Sequence, residues 1–137
     1  MDNVTATKNV WDKVQATGDY QPFFDSLADD VVMSATIPAG TPISGEFRGK
    51  QAVLDYFMDP DAIAEFQPFE KPLEYFTNEN QDRVIILGEE TFRFKKTGHV
   101  AQTAYAWVQD FRDGKVTRIH VIEDLSSFVD AYRSLST

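Results

Sequence analysis

The sequence predicts an α+β fold in which helices come first and a meander of long antiparallel strands follows. Three observations carry this. Apolar residues recur at helical spacing as far as "KQAVLDYFMD", and beyond it the period becomes strand-like. In the second half the turn signals "NENQD", "TGH" and "RDG" are widely spaced, so the strands between them are long.

Each element has its own signal. From Val4 to Ala16, the residues Val4, Val10, Trp11 and Val14 make one apolar helix stripe, and Gly18 stands where a left-handed residue ends a helix. Asp19 is placed to cap a short second helix, with Pro22 tolerated in its first turn and Phe23, Phe24 and Leu27 on its apolar side. "DDVVMSA" reads as a short strand, and "TIPAGTPISGEFRG" as a long loop broken by proline and glycine, of a length often used as a rim or lid. "KQAVLDYFMD" is helical, with Val53, Leu54 and Phe57 as its face and Pro60 as its stop. "FQPFEKPLEYFT" is extended, but Pro68 and Pro72 confine it to an edge. "RVIILGEETFRFKK", "VAQTAYAWVQDF" and "KVTRIHVIED" follow as three strands, far longer than the mean of about 5–6 residues, so the sheet must twist and curl. "DLSSFVDAYRSL" closes the chain as a helix capped by Asp124. With no repeat and no linker, residues 1–137 read as one domain.

Composition excludes several functions. The chain carries 22 acids against 13 bases, a net charge of -9, which disfavours nucleic acid and anionic membrane surfaces as partners. It has no cysteine, which removes thiol catalysis, disulfides and sulfur-ligated metals. The 11 Phe, 5 Tyr and 2 Trp are enough to fill a core or line an apolar cavity. No basic n-region precedes an apolar run and no stretch approaches a membrane span, so the default location is the cytoplasm. "SGEFRGK" fails as a phosphate loop at both ends, because Ser44 replaces the first glycine and Gln51 the last hydroxyl. No histidine and carboxylate spacing fits a metal site, and no G-x-S-x-G motif is present.

The order of elements, with "ATGDYQPFFDSLADDVVMSA", "GTPISGEFRGKQAVLDYF" and "FRDGKVTRIHVIED", resembles the nuclear transport factor 2-like superfamily in its SnoaL-like or ketosteroid-isomerase-like branch. The resemblance covers nearly the whole chain. It implies a cone-shaped curved antiparallel sheet wrapped on N-terminal helices, with a deep apolar pocket on the concave side and an outer face that commonly packs in a homodimer. It implies no single activity, since the fold hosts isomerases, cyclases, dehydratases, hydrolases and non-catalytic binders. Aligned on the ketosteroid isomerases, the general-base position falls at Ala35 and the two oxyanion-donor positions at Trp11 and Trp107. Alanine cannot take a proton and indole is a weak donor, so steroid isomerisation by that mechanism is not expected. Many SnoaL-like chains carry a glutamate where this one has Val121; here Glu123 lies two residues on, along the same face.

The last hairpin decides which acid looks inward, because alternate residues of a strand face opposite sides. A two-residue turn at Asp113-Gly114 pairs Arg112 with Lys115, sets Trp107 opposite His120 and sends His120 inward. A three-residue loop at Arg112-Asp113-Gly114 pairs Phe111 with Lys115, sets Trp107 opposite Ile119 and sends Glu123 inward. The second register is preferred, because it gathers Phe92, Phe94, Thr103, Tyr105, Trp107, Ile119 and Val121 on one concave face. Ala104, Ala106, Val108, Val116, Arg118, His120 and Ile122 then fall on the other, as a dimer surface. Glu90 shares the inner parity of Phe92 and Phe94, so two carboxyls stand among aromatics, where burial raises a carboxyl pKa.

The expected site is therefore Glu123 and Glu90 handling a proton and Tyr105 orienting a small apolar or aromatic molecule, against a wall of Trp11, Phe24, Phe57, Phe92, Phe94, Trp107, Ile119 and Val121. No cofactor and no metal is expected. A cofactor-independent enzyme of isomerase, cyclase or hydratase type fits this arrangement, and so does a non-catalytic binding or structural dimer module in which Glu123, at its strand's end, is simply solvated. His120 is read as an interface or surface residue, His99 as a turn residue.

Overall fold

The computed structural model describes residues 2–37, 39–41, 44–58, 64–68, 71–124, 129, 130, 132 and 133. Helix α1 (Asn3–Thr17) starts where the Asp2 carboxylate accepts the Thr5 N–H at 2.8 Å, and ends at Gly18 with φ 71°, whose N–H bonds the Val14 carbonyl. Helix α2 (Gln21–Asp25) carries its proline in the first turn, and the Asp19 carboxylate accepts the Gln21 N–H at 2.9 Å just ahead of it. Helix α3 (Lys50–Met58) follows the glycine-rich connection.

Seven strands among the described residues make one curled sheet. They are β1 (Leu27–Ala35), β2 (Glu46–Arg48), β3 (Ala64–Pro68), β4 (Glu74–Thr77), β5 (Arg83–Phe94), β6 (Val100–Arg112) and β7 (Lys115–Glu123). Their order is β2-β1-β7-β6-β5-β3, with β4 also on β5. Strands β3 and β4 share one edge of β5, the first along Glu90–Phe94 and the second along Val84–Leu87, which leaves a gap at Gly88 and Glu89. Both proline-containing segments stay at the edge, since proline cannot donate to a second neighbour.

Two expectations about the sheet are corrected. It is mixed rather than antiparallel, because β1 runs parallel to β7. Helix α3 and the strands between β1 and β7 supply the crossover that a parallel pair needs. The loop "TIPAGTPISGEFRG" contains strand β2, paired with β1 through Met33 and Phe47. Pro60, most of the expected C-terminal helix and the loop residues 38, 42 and 43 lie outside the described residues; Val129, Asp130, Tyr132 and Arg133 are helical, and Val129 is buried in the core.

The β6–β7 turn is a third correction. Arg112 pairs with Lys115, and the loop is two residues, Asp113 and Gly114, both left-handed with φ 53° and 77°. That is the type I′ geometry, whose twist matches the flanking strands. The expected consequence, His120 facing inward, does not follow. Phe111 pairs with Val116 but Asp110 pairs with Arg118, so Thr117 is an extra, unpaired residue in β7, and its hydroxyl donates to the Asp110 carbonyl. This bulge advances the register by one residue. Trp107 therefore faces Val121, not Ile119, and Tyr105 faces Glu123. Inner parity along β7 is Ile119, Val121 and Glu123, all buried, as the other turn would have given. Val116, before the bulge, falls inside and is fully buried, not on the outer face.

The core lies on the concave side, where Trp11 and Val14 of α1, Phe23 of α2 and Val53 of α3 pack on the inward residues of the sheet. The bulge makes a direct prediction. Deleting Thr117 lets Arg118 pair with Asp110 directly after Val116 pairs with Phe111 and keeps Ile119, Val121 and Glu123 inward, whereas inserting one alanine between Arg118 and Ile119 turns His120 and Ile122 inward. The deletion should melt within about 5 °C of the parent and the insertion on the order of 10 °C or more below it. A deletion as damaging as the insertion would contradict this role.

Candidate functional site

Strands β5, β6 and β7 bring together the three residues expected to do chemistry. On β5 the parity is regular, with Glu89 opposite Ala104 and Glu90 opposite Thr103, so Glu90 points inward and Glu89 outward. Glu89 instead meets the Lys71 ammonium at 2.7 Å. On β6 Tyr105 stands between Gly88 of β5 and Glu123 of β7. Glu123 is 6% exposed, while Glu90 and Tyr105 each keep some open surface.

The two carboxyls lie close enough to act on each other's ionisation, as charges and through a side-chain hydrogen bond. Such a bond needs a proton, and two carboxyls this close in a buried place disfavour both being charged. Burial is the largest cause raising the Glu123 pKa; the nearby Glu90 charge and the bond to Glu90 raise it further. Burial also raises Glu90, but the bond to Glu123 favours its charged form and partly offsets this. The pair thus resists losing its proton, with Glu123 held up by all three causes and Glu90 by burial alone. Among the described residues, no basic side chain is a cause of either shift. The Glu123 backbone is anchored to β1's end, its N–H donating to the Thr36 hydroxyl at 3.1 Å.

Phenols complete the cluster. Tyr56 of α3, 9% exposed, feels the charges of Glu123, Glu90 and Tyr105, and burial above all holds its pKa well above the usual phenol value. Tyr105 is raised likewise by burial first, then by Glu90, Glu123, Tyr75 and Tyr20. Tyr75 is pushed up to about 12 by burial and by Asp12. All remain neutral hydroxyls at physiological pH, able both to donate and to accept. Sequence reasoning missed Tyr56. Its signal was available: it lies three residues from Val53, on the buried face of α3. Tyr20 and Tyr75 had no such signal, since the first precedes a one-turn helix and the second sits in a four-residue strand.

Gly88 sets where Tyr105 lies. A β-carbon built on Gly88 would overlap the Tyr105 phenol and the Leu73 side chain, so the ring occupies the space a side chain would take.

The aromatic wall divides in two. Trp11, Phe23, Phe57 and Trp107 form one packed group, with Trp11 and Trp107 rings 6.0 Å apart and Phe57 and Trp107 5.9 Å apart. Phe57 also stacks near Tyr20 at 5.0 Å and keeps some surface open. Phe23 takes the inward place, while Phe24 is half-buried with the Lys50 ammonium 5.8 Å over its ring. Phe92, Phe94, Ile119 and Val121 expose at most 1% and act here as packed floor. The Trp107 indole N–H is committed to Gln109 Oε1 at 2.8 Å, so that ring has no donor left to offer a substrate. His120 lies on the outer face, its Nδ1 2.8 Å from the Ser34 hydroxyl. His99 sits in the β5–β6 turn, where its carbonyl accepts the Phe94 N–H. Among the described residues, no group of three or more His, Asp or Glu side chains converges as a metal site, and no helix is long and apolar enough to cross a membrane.

A curled half-barrel sheet closed by N-terminal helices, with acids and phenols on its concave side, is the nuclear transport factor 2-like arrangement. The chain belongs to the SnoaL-like domain family, whose model matches residues 9–119. An NTF2-like protein from Burkholderia xenovorans superposes with a TM-score of 0.76 at 24% identity, covering 94% of each chain. A Bacillus subtilis protein provisionally called an isomerase gives 0.76 at 18% identity over 96% of each chain. A Pseudomonas putida protein provisionally called a polyketide cyclase gives 0.70 at 15%, over 95% of this chain and 97% of that one. At these identities the likeness is one of fold. Among curated proteins, sequence comparison finds no match.

Two outcomes test this geometry. In an open strand position alanine is no worse than glycine, so Gly88→Ala should be destabilising chiefly through the Tyr105 ring, the Leu73 methyl being the end of a side chain that can turn away. Its cost, on the order of 2 kcal/mol, should largely vanish in a Tyr105→Ala background in a double-mutant cycle read by denaturant unfolding. Additive costs would contradict the close approach. The raised Glu123 pKa also has a sign: above the ordinary glutamate value of 4.5, the folded state holds a proton that the unfolded chain has lost. Stability therefore falls as pH rises from there towards the folded pKa. Melting curves between pH 5 and pH 9 should show a shallower decline in Glu123→Gln than in the parent, and parallel declines would refute the assignment.

Proposed function

We propose that this chain is a cofactor-independent enzyme of isomerase or cyclase type, moving a proton on a small, largely apolar or aromatic molecule. The observation that carries the reading is the pair of mutually interacting carboxyls, Glu90 and Glu123, brought with Tyr105 to one face of the sheet, where burial raises both. A pair of titratable groups held apart in protonation state supplies an acid and a base at one place, near neutral pH and without an external partner.

Glu123 and Glu90 work in series. A substrate proton passes to the free oxygen of Glu123 as the proton shared with Glu90 moves fully onto Glu90, and the reverse shift returns a proton to another atom of the same substrate. Charge and proton number balance over the cycle. Tyr105 and Tyr56, neutral and close to both acids, orient the substrate oxygen. Phe57, Tyr20 and Tyr75 offer apolar surface beside them. Trp11 and Trp107 pack the wall behind, and Phe24 lies at its margin. The names given to the Bacillus subtilis and Pseudomonas putida neighbours, isomerase and polyketide cyclase, belong to the same class of chemistry.

A homodimer through the outer face is part of the same proposal. Leu87, Ala106 and Ile122 lie in one cross-strand row there, and Leu87 and Ile122 are 38% and 48% exposed.

The enzymatic reading is tested with enolisable aromatic ketones, starting with 2-tetralone, by following deuterium incorporation at the α-carbon in D2O by NMR. The parent should exchange faster than buffer, and Glu123→Gln should slow it by about 10²–10⁴-fold with ketone binding little changed. Unchanged exchange in Glu123→Gln would remove that residue's role. Binding without exchange in the parent would make the chain a non-catalytic binding module.

A further inference from the structure

The inward side of β6 continues past the acids through Tyr105, Trp107 and Gln109. Gln109 lies four residues from Tyr105, roughly 13 Å further towards the β6–β7 turn. There a cavity of about 30 Å³ opens between α1, the end of α2 and the hairpin. Trp11, Phe111 and Val116 wall it, and Thr7, Ser26 and Gln109 are its polar members. Among the described residues, no charged side chain lines it.

Gln109 is 2% exposed, and an amide buried to that degree needs partners for its donors as well as its acceptor. Its Oε1 accepts the Trp107 indole N–H at 2.8 Å. An indole nitrogen only donates, so this bond fixes which end of the amide is oxygen and turns the NH2 group away from Trp107. Among the described residues no acceptor meets that NH2. Glu123 Oε2 is a partnerless atom sealed from its surroundings; Gln109 Nε2 is not sealed, so it keeps contact with open space, and the space Gln109 borders is this cavity. The two hydroxyls here have spent their protons, Thr7 on the Asn3 carbonyl at 2.7 Å and Ser26 on the Phe23 carbonyl at 2.5 Å. Of the three polar side chains, the amide is the one with donors left.

From this geometry we infer that the cavity is a second binding site, which takes the carbonyl oxygen of a small neutral molecule, or the carbonyl end of a longer one, on Gln109 Nε2. A charged ligand finds no counter-charge in the wall and loses its hydration on entry. A hydrocarbon leaves the amide unmatched. A carbonyl brings lone pairs to Nε2 while its substituents lie against the apolar wall. A cavity of about 30 Å³ holds two water-sized molecules, whose share of liquid volume, roughly 60 Å³, is close to that of a carbonyl with two methyl arms. Ala6, half-buried, and Gly114, exposed, line the outer side without bulk, which leaves room for a longer ligand to pass out. The inference does not depend on what Glu90 and Glu123 do.

The experiment follows the Gln109 side-chain NH2 and the Trp107 indole N–H by 1H–15N NMR at pH 7, during titration with acetone and, separately, with acetate of the same size. In the parent, acetone should shift both signals saturably, with half-effect at about 1–100 mM, the range open to so small a ligand, and acetate should bind about tenfold or more weakly. Gln109→Met removes the N–H donors and should weaken the acetone response at Trp107 about fivefold. Ala6→Met fills the cavity from α1 and should abolish the response, with folding checked by its melting transition. No saturable shift in the parent, which would leave water as the occupant, or acetate binding as well as acetone, overturns the inference whether or not the variants fold. A folded Ala6→Met variant with the parent's full response overturns it too.

Discussion

One unpaired residue, Thr117, governs which side chains of the last strand reach the interior. The Asp113-Gly114 turn alone would send His120 inward and Glu123 out to the other face, because strand parity admits no compromise. The extra residue reverses this within two positions of the turn. Everything at the concave side depends on the reversal: Ile119 and Val121 close the core, Glu123 comes opposite Tyr105, and Glu90 on β5 acquires a carboxyl partner that acts on its ionisation. A bulge next to a functional strand re-aims side chains without changing the strands it joins.

The acid pair is expensive to keep. Two carboxyls in a buried place ionise together only at a high cost, and among the described residues no arginine or lysine acts on either. An apolar pair of similar size would pack there without that penalty, and the neighbouring positions Phe92, Ile119 and Val121 show how well this sheet packs when given such residues. Buried polar groups of this cost, with an acceptor left unpaired, mark sites where stability is exchanged for chemistry or recognition. The ketosteroid isomerase arrangement is absent at the positions where its members place their base and donors: Ala35 has no proton to exchange, and Trp107 spends its N–H on Gln109. The carboxyls of this chain's concave side lie further along the sheet, at Glu90 and Glu123.

The long periodic elements were legible because their signals are local. Helix α1 has its stripe and Gly18, and β5, β6 and β7 alternate over 12, 13 and 9 residues. The parallel pairing of β1 with β7 was not legible, since nothing in "DDVVMSA" records which distant strand it meets. Nor was strand β2, three residues set among glycines and proline. The inward aim of Glu123 was reached by a turn the structure does not have: the apolar pattern specified the face, and the register was made to fit it with a three-residue loop. In the chain, turn and bulge achieve the same parity together. Apolar patterning over nine residues carries more information than a turn dipeptide, because a one-residue slip would expose the whole set. Tyr56 was missed because attention to apolar residues on α3 passed over a phenol on the same face, and Phe23 rather than Phe24 turned inward because a one-turn helix has too few residues to define a face.

The central claim is that Glu123 carries a proton shared with Glu90 in the folded chain at neutral pH. Its most direct test is a pH titration of the glutamate side-chain carboxyl carbons by 13C NMR, with Glu123 assigned by comparison with Glu123→Gln. The account predicts that the Glu123 resonance titrates well above the ordinary glutamate value of 4.5, and that the Glu90 resonance moves with it. A Glu123 resonance that titrates near 4.5, with no coupled change at Glu90, would contradict it.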